Sequence, residues 1–324
     1  MARLLFLIVF CVYRSVFAQA VPKIIFDTDI GPDYDDVGAL AMLHALADKG
    51  ECELLATVAS NNHQNIAPVL SVINTYFRRP ALPVGMVRGS SVALPAWQKW
   101  DSLIVRRYPH ALTSNDQAED AVKLYRKILA AQPDSSVTIV TVGFLTNMAN
   151  LLKSKPDAVS PLGGAALVKN KVKRLVSMAG AFPSGKEFNI EKDALASQHA
   201  FGNWPTPVYF TGWEIGAKLF SGIPLISSTI KKSPVKDVFE ISIPKSKEDS
   251  NGRKSWDQTA VLMAVRGVDQ YYTLIPGRIV CEPDGRNSWN PKGRGQYYAV
   301  EKTPATEVEK IINDLMMHTP KSTR

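Results

Sequence analysis

The apolar positions of this chain follow two rhythms in turn. Short β-branched runs mark buried strands at Lys23–Phe26, Leu54–Ala59, Pro83–Val87, Val137–Val142, Val172–Ala179 and Val208–Thr211. Helical spacing falls between and after them, over Val37–Lys49, Ile66–Phe77, Ala118–Ala131, Trp256–Arg266 and Thr306–Met317. The first helix carries Val37, Leu40, Leu43 and Ala47 on one face and meets Gly50 as a stop. Ser114 and Gln117 have the spacing of a capping box ahead of Ala118. Residues 88–113, with Trp97 and Trp100, interrupt the alternation and read as an insertion or lid.

Strand, helix, strand, helix in this order predicts an α/β fold with a mostly parallel central sheet and flanking helices, a Rossmann-like core. The 324 residues are 45% hydrophobic and 21% charged, ordinary globular usage that excludes disordered, collagen-like and coiled-coil classes. No Gly/Ser-rich or Pro-rich linker divides the chain, so residues 21–324 are expected to form one domain.

Residues 1–20 stand apart. Arg3 precedes the apolar run Leu4–Tyr13, and Ala18-Gln19-Ala20 offers a small-x-small cleavage pattern. This reads as a secretory signal peptide, with the mature chain starting near Gln19 or Val21 and exported to a periplasmic or extracellular space. No later apolar stretch has spanning length, so no membrane partner is expected. The 38 lysines and arginines exceed the 30 acids, but the bias is spread along the chain, and Lys169–Arg174 is its densest cluster. Nucleic-acid binding needs an organised patch, and none is expected here. Cys52 and Cys281 survive leader removal; export permits them to pair, and spacing leaves the question open.

Candidate chemistry concentrates in Asp27-Thr28-Asp29-Ile30-Gly31-Pro32-Asp33-Tyr34-Asp35-Asp36. Five carboxylates stand between the first strand and the first helix, where open α/β sheets bind ligands. A helix N-terminus stabilises one or two acids. Five repel one another, so some must share a proton or a cation. All-oxygen donors suit calcium or magnesium. Further polar groups follow other strands or open helices: Asn61, Asn147, Glu187-Phe188-Asn189, and Asp257 after Trp256. Singly, Asn61 reads as a turn residue, Asn147 as a cap and Asp257 as a first-turn acid; their shared placement points to a site.

Together these residues resemble the inosine-uridine-preferring nucleoside hydrolase family. The acidic loop is similar to its Asp-x-Asp-x-Gly-x-Asp-Asp signature, in a longer variant with Pro32-Asp33-Tyr34 before Asp35-Asp36. Gly143-Phe144-Leu145-Thr146-Asn147 resembles its Gly-x-Leu-Thr-Asn turn, and Glu187-Phe188-Asn189 its Glu-Phe-Asn element, with Asp193 at the following acidic position. Asp257 falls where the family has a His-Asp pair. The resemblance implies calcium held by Asp29, Asp36, Asp257 and the backbone carbonyl of Val142. It implies sugar contacts from Asp35, Asn61, Glu187 and Asn189, and hydrolysis of a ribonucleoside N-glycosidic bond by a calcium-bound water. Asp29 is then the residue to take the water's proton. Asp33 could face either metal or sugar.

One departure stands out. Trp256 occupies the place of the family histidine that can protonate the leaving base, and His44, His63, His110, His199 and His318 fall outside the motif. Trp256 could stack on a base or simply pack. Two alternatives remain open at this level: a calcium-dependent sugar- or nucleoside-binding protein without turnover, and a haloacid dehalogenase-type phosphohydrolase built on Asp27-Thr28-Asp29. Base preference and oligomeric state are not readable.

Overall fold

A computed structural model describes residues 21–320. The leader expected over residues 1–20 lies outside the described residues. The strands are β1 (Lys23–Thr28), β2 (Glu53–Ala59), β3 (Val84–Met86), β4 (Glu119–Asp120), β5 (Val137–Thr141), β6 (Val172–Ser177), β7 (Ser184–Lys186), β8 (Val208–Phe210), β9 (Phe220–Ser221), β10 (Arg253–Lys254), β11 (Tyr272–Cys281), β12 (Arg286–Asn290) and β13 (Gln296–Glu301). Eleven of them form one sheet in the order β4-β3-β2-β1-β5-β6-β8-β13-β11-β12-β7. Pairing is parallel from β4 to β13 and antiparallel from β13 to β7. The expected single α/β domain with a mostly parallel sheet is what forms.

β1 shows why. Its side chains alternate between faces. Ile24 and Phe26 join one buried cluster with Leu40, Leu43 and Leu262, while Ile25 joins the other with Val58, Ile139 and Leu151. Both faces are covered by helices, as parallel sheets require. Asp35–Asp48, Ile66–Tyr76, Trp256–Arg266 and Ala305–Met316 contribute to the first layer. Ala121–Ala131, Thr146–Lys153 and Ala194–Asn203 contribute to the second. No helix among the described residues is long and apolar enough to cross a membrane.

The chain leaves β1 toward β2 on one side and later returns to β5 on the other, so the order reverses between β1 and β5. At such a switch point the loops diverge and open a crevice at the carboxyl ends of the strands. Asp27 sits level with Thr141 across this pair, and Val142 N donates to the Asp27 carbonyl at 2.9 Å.

Three details differ from the sequence reading. The helix expected from Ala118 begins at Ala121, capped by Asp120, whose carboxylate accepts from Lys123 N at 2.9 Å. Gln117 instead turns its carbonyl back to Thr113 N at 2.7 Å, so Ser114 and Gln117 make no capping box. Cys52 and Cys281 are both buried free thiols, in clusters on opposite faces of the sheet, and do not pair. Burial pushes both thiols up to about 12.

Candidate active site

The crevice holds a cavity of about 340 Å³ at the carboxyl edge of the sheet, lined in part by Asp29, Asp33, Asp35, Val142, Glu187, Asn189 and Asp257. A larger cavity of about 700 Å³ lies at the opposite edge, among Lys23, Ser136, Lys173 and Arg266, and shares none of these residues. Of these two cavities, the carboxylates of the acidic loop line only the smaller.

Asp29 is buried as the first residue after β1, and a close approach holds it there. A Cβ on Gly143 would stand 2.3 Å from Asp29 N and 2.6 Å from Asp29 Cβ, so only glycine fits after β5. Asp29 and Asp257 carboxylate oxygens accept no hydrogen bond from another residue among the described residues, though both line the cavity. Asp36 is buried beside them and accepts from the Thr28 hydroxyl. Burial raises the pKa of Asp29, Asp36 and Asp257 well above the carboxylate range, and the neighbouring aspartates raise each further.

Asp33, Asp35 and Asp36 have carboxylate oxygens within 4.8 Å of one another. With Asp29 and Asp257 they make five carboxylates, against one guanidinium, Arg253, that bonds Asp33 and Asp35. The formal excess is four negative charges, and an all-oxygen donor set of this kind fits a hard divalent cation. Of the expected ligands, Asp29, Val142 and Asp257 line the cavity and Asp36 is buried in the same loop, but among the described residues Asp29, Asp36 and Asp257 do not form a group of three within that 4.8 Å, as Asp33, Asp35 and Asp36 do.

Two expected sugar contacts are otherwise engaged. Asn61 is fully buried and does not line the cavity: its Nδ2 donates to the carbonyls of Asp29 (3.2 Å) and Leu94 (2.9 Å), and its Oδ1 accepts from His63 N and Leu94 N. It ties the acidic loop to residues 88–100 and has no group left for a sugar. Asp35 lines the cavity, yet one oxygen accepts from Arg253 Nε (2.9 Å) and Nη2 (2.8 Å), and the other faces Trp256 N and Asp257 N at 3.2 and 3.4 Å. A carboxylate offers about four lone-pair sites, and all are used. Asp35 therefore caps the helix that carries Asp257. Burial lifts it to about 6 although Arg253 pulls the other way.

Glu187 caps the short helix Phe188–Lys192, accepting from Asn189 N (2.8 Å), Ile190 N (3.3 Å) and Gly180 N (2.9 Å). Burial raises it to about 7 despite these bonds. Asn189 Nδ2 donates to the carbonyls of Val142 (3.1 Å) and Met178 (3.0 Å), which leaves its Oδ1 without a partner among the described residues. Asn147 is not a helix cap: it donates to Asp27 and to the Ala59 carbonyl, both at 2.9 Å, and with Tyr125 holds the buried Asp27 carboxylate, raised by burial to about 7.

The mouth is aromatic. Trp256 donates its indole N–H to the Trp213 carbonyl at 2.9 Å and lines the cavity with Trp97, Phe188 and Trp213. In the 88–113 segment the two tryptophans part company: Trp100 is fully buried, while Trp97 is 53% exposed and meets Phe188 edge-on at 5.8 Å. Trp97 N donates to the Pro32 carbonyl, so the lid closes onto the acidic loop. No histidine lines the cavity among the described residues. Arg253 was not singled out from sequence; a lone arginine in a polar stretch carries no spacing signal.

The family model for inosine-uridine preferring nucleoside hydrolases matches residues 24–311. The chain belongs to that family. Over 222 residues it is 32% identical to the pyrimidine-specific ribonucleoside hydrolase RihA of Salmonella typhi and to that of Salmonella paratyphi B, over 62% of this chain and 62% of theirs. It thus spans about 62% of the length of these curated relatives. Its fold matches a plant nucleoside hydrolase with TM-score 0.69 at 18% identity, covering 91% of this chain and 99% of that one. It matches an inosine-uridine preferring nucleoside hydrolase from Bacillus anthracis with TM-score 0.68 at 16% identity, covering 92% and 99%. At those identities the likeness is one of fold. Family membership leaves no place for the phosphohydrolase alternative.

Proposed function

We propose that this protein hydrolyses the N-glycosidic bond of ribonucleosides, giving ribose and free base, with calcium as its cofactor. The observation that supports the reading is that Asp29 and Asp257, whose carboxylates accept from no other residue among the described ones, line one cavity with Val142 at the switch point of the sheet. A divalent cation bound there supplies water activation and a hold on the ribose diol.

The chain's own residues do the rest. Water attacks the anomeric carbon, the carbon–nitrogen bond breaks, and its electron pair leaves with the base, which takes a proton from solvent water. Asp29 takes the water's proton. Positive charge grows on the ribose ring as the bond breaks. The surrounding fixed carboxylates complement that charge without reorganising. Glu187 and Asn189 line the cavity, where they would meet sugar hydroxyls, Asn189 through an Oδ1 that has no partner among the described residues. Asp35 and Asn61 serve as scaffold. The base departs toward Trp256, Trp97 and Phe188, whose faces suit a planar heterocycle.

That no histidine lines the cavity among the described residues favours one second reading, a nucleoside-binding protein without turnover. Free-base release from uridine or inosine separates the two, and Asp29→Asn should abolish it while leaving the fold intact. Binding with no release would favour the second reading. Export belongs to the proposal and rests on the leader pattern of residues 1–20. Mass spectrometry of exported protein should find a start near residue 21, and a start at Met1 would contradict it.

A further inference from the structure

Arg253 has an unusual position for a cation. It lies on β10, one edge of a two-stranded ribbon, and points into the acidic loop. Its guanidinium bonds Asp33 and Asp35, stands 3.9 Å from Asp249, and lies 5.3 Å from the Tyr34 ring centroid and 5.1 Å from that of Trp256. Tyr34 is itself fixed, donating its hydroxyl to Asp249 at 2.7 Å. The rigid fork of arginine suits this task, since one planar group can serve two carboxylates at once.

The acids it holds are the ones that would otherwise compete. Asp33, Asp35 and Asp36 lie within 4.8 Å of one another and make a candidate cation nest of their own, the one such group of three among the described residues, beside the expected set Asp29, Asp36 and Asp257. Asp36 belongs to both sets. A cation drawn toward Asp33 and Asp35 would move away from Asp29, the proton acceptor, and from the Val142 carbonyl.

We infer that Arg253 is a positioning residue that fills the Asp33–Asp35 half of the acidic loop and so confines the divalent cation to Asp29, Asp36 and Asp257. The inference rests on the metal reading above. It assigns the longer loop a purpose: Asp33 and Tyr34 are the residues that grip Arg253. It also makes Trp256 part of the device, because the same guanidinium packs against its ring.

Calorimetric titration of the metal-stripped full chain with calcium tests this without any turnover. Wild type should bind one equivalent. Arg253→Met frees Asp33 and Asp35 and should bind two, and Asp33→Asn added to it should return the count to one. Should Arg253→Met fail to fold, Arg253→Lys keeps a charge that cannot bridge two carboxylates. It should show a second equivalent at least about ten-fold weaker than the first. One equivalent of unchanged affinity in wild type and in the folded Arg253 variant would overturn the inference and leave the metal reading standing. No calcium uptake by wild type would bring down both.

Discussion

A side-chain carbon on Gly143 would stand 2.3 Å from the backbone nitrogen of Asp29. The turn after β5 and the loop after β1 are thus packed backbone against backbone, with no room for a methyl group. Gly143→Ala must push the loop away from the cavity or shift β5. Overpacking of this kind typically costs about 1–3 kcal/mol. The variant should lose stability in that range by urea titration and lose most of its base-releasing activity. A variant as stable and as active as wild type would show that the contact does not position Asp29.

His44 gives a pH dependence remote from the site. It is buried, stacked on Phe77 with ring centroids 4.7 Å apart, with Nε2 3.0 Å from Asn74 Oδ1. Burial, reinforced by Arg79, pushes its pKa from 6.5 down to about 3. Below 6.5 the unfolded chain binds a proton that the folded chain refuses until about 3. The unfolded state therefore holds more protons in that window, and stability falls as pH drops through it. Urea midpoints at about pH 7 and about pH 4.5 should differ more for wild type than for His44→Gln, which cannot charge. Equal differences would contradict the assignment.

Leaving-group chemistry makes a sharper prediction. Trp256 has no acidic proton, its N–H is already given to Trp213, and no histidine lines the cavity among the described residues. General acid catalysis is typically worth about 10²–10⁴-fold, so natural nucleosides should suffer most from its absence. p-Nitrophenyl riboside should be cleaved faster than uridine or inosine. Trp256→Ala should slow the natural nucleosides more than the activated one. Equal rates on uridine and the activated riboside, with one histidine variant abolishing only the uridine reaction, would reveal another acid.

The parts of this molecule that were readable from sequence are those whose neighbours along the chain define them. β1, β2, β5 and β6 are β-branched runs buried on both faces, and their pattern survives any context. The acidic loop was readable because five carboxylates in ten residues have no ordinary structural use. β11 to β13 went unrecognised: Pro276, Gly277 and Arg278 break the apolar run of β11, and antiparallel pairing at the end of the sheet leaves one face less buried. Asp35 and Asn61 are recognisable as special from sequence, but their hydrogen-bond partners are not. What occupies a carboxylate or an amide depends on partners far away in sequence, here Arg253, 218 residues from Asp35, and Leu94, 33 residues from Asn61. Trp97 was read as part of a lid, and only the fold brings it over the cavity beside Phe188.

The carboxylates gathered at the β1–β5 switch point are proposed to hold a cation and cleave a ribonucleoside. The most direct measurement is the release of free base and ribose from a panel of ribonucleosides by metal-stripped protein, by the same protein with calcium restored, and by calcium-loaded Asp29→Asn. The account predicts release only from the calcium-restored wild type. No release from any ribonucleoside, or release that a chelator and Asp29→Asn both leave unchanged, would contradict it.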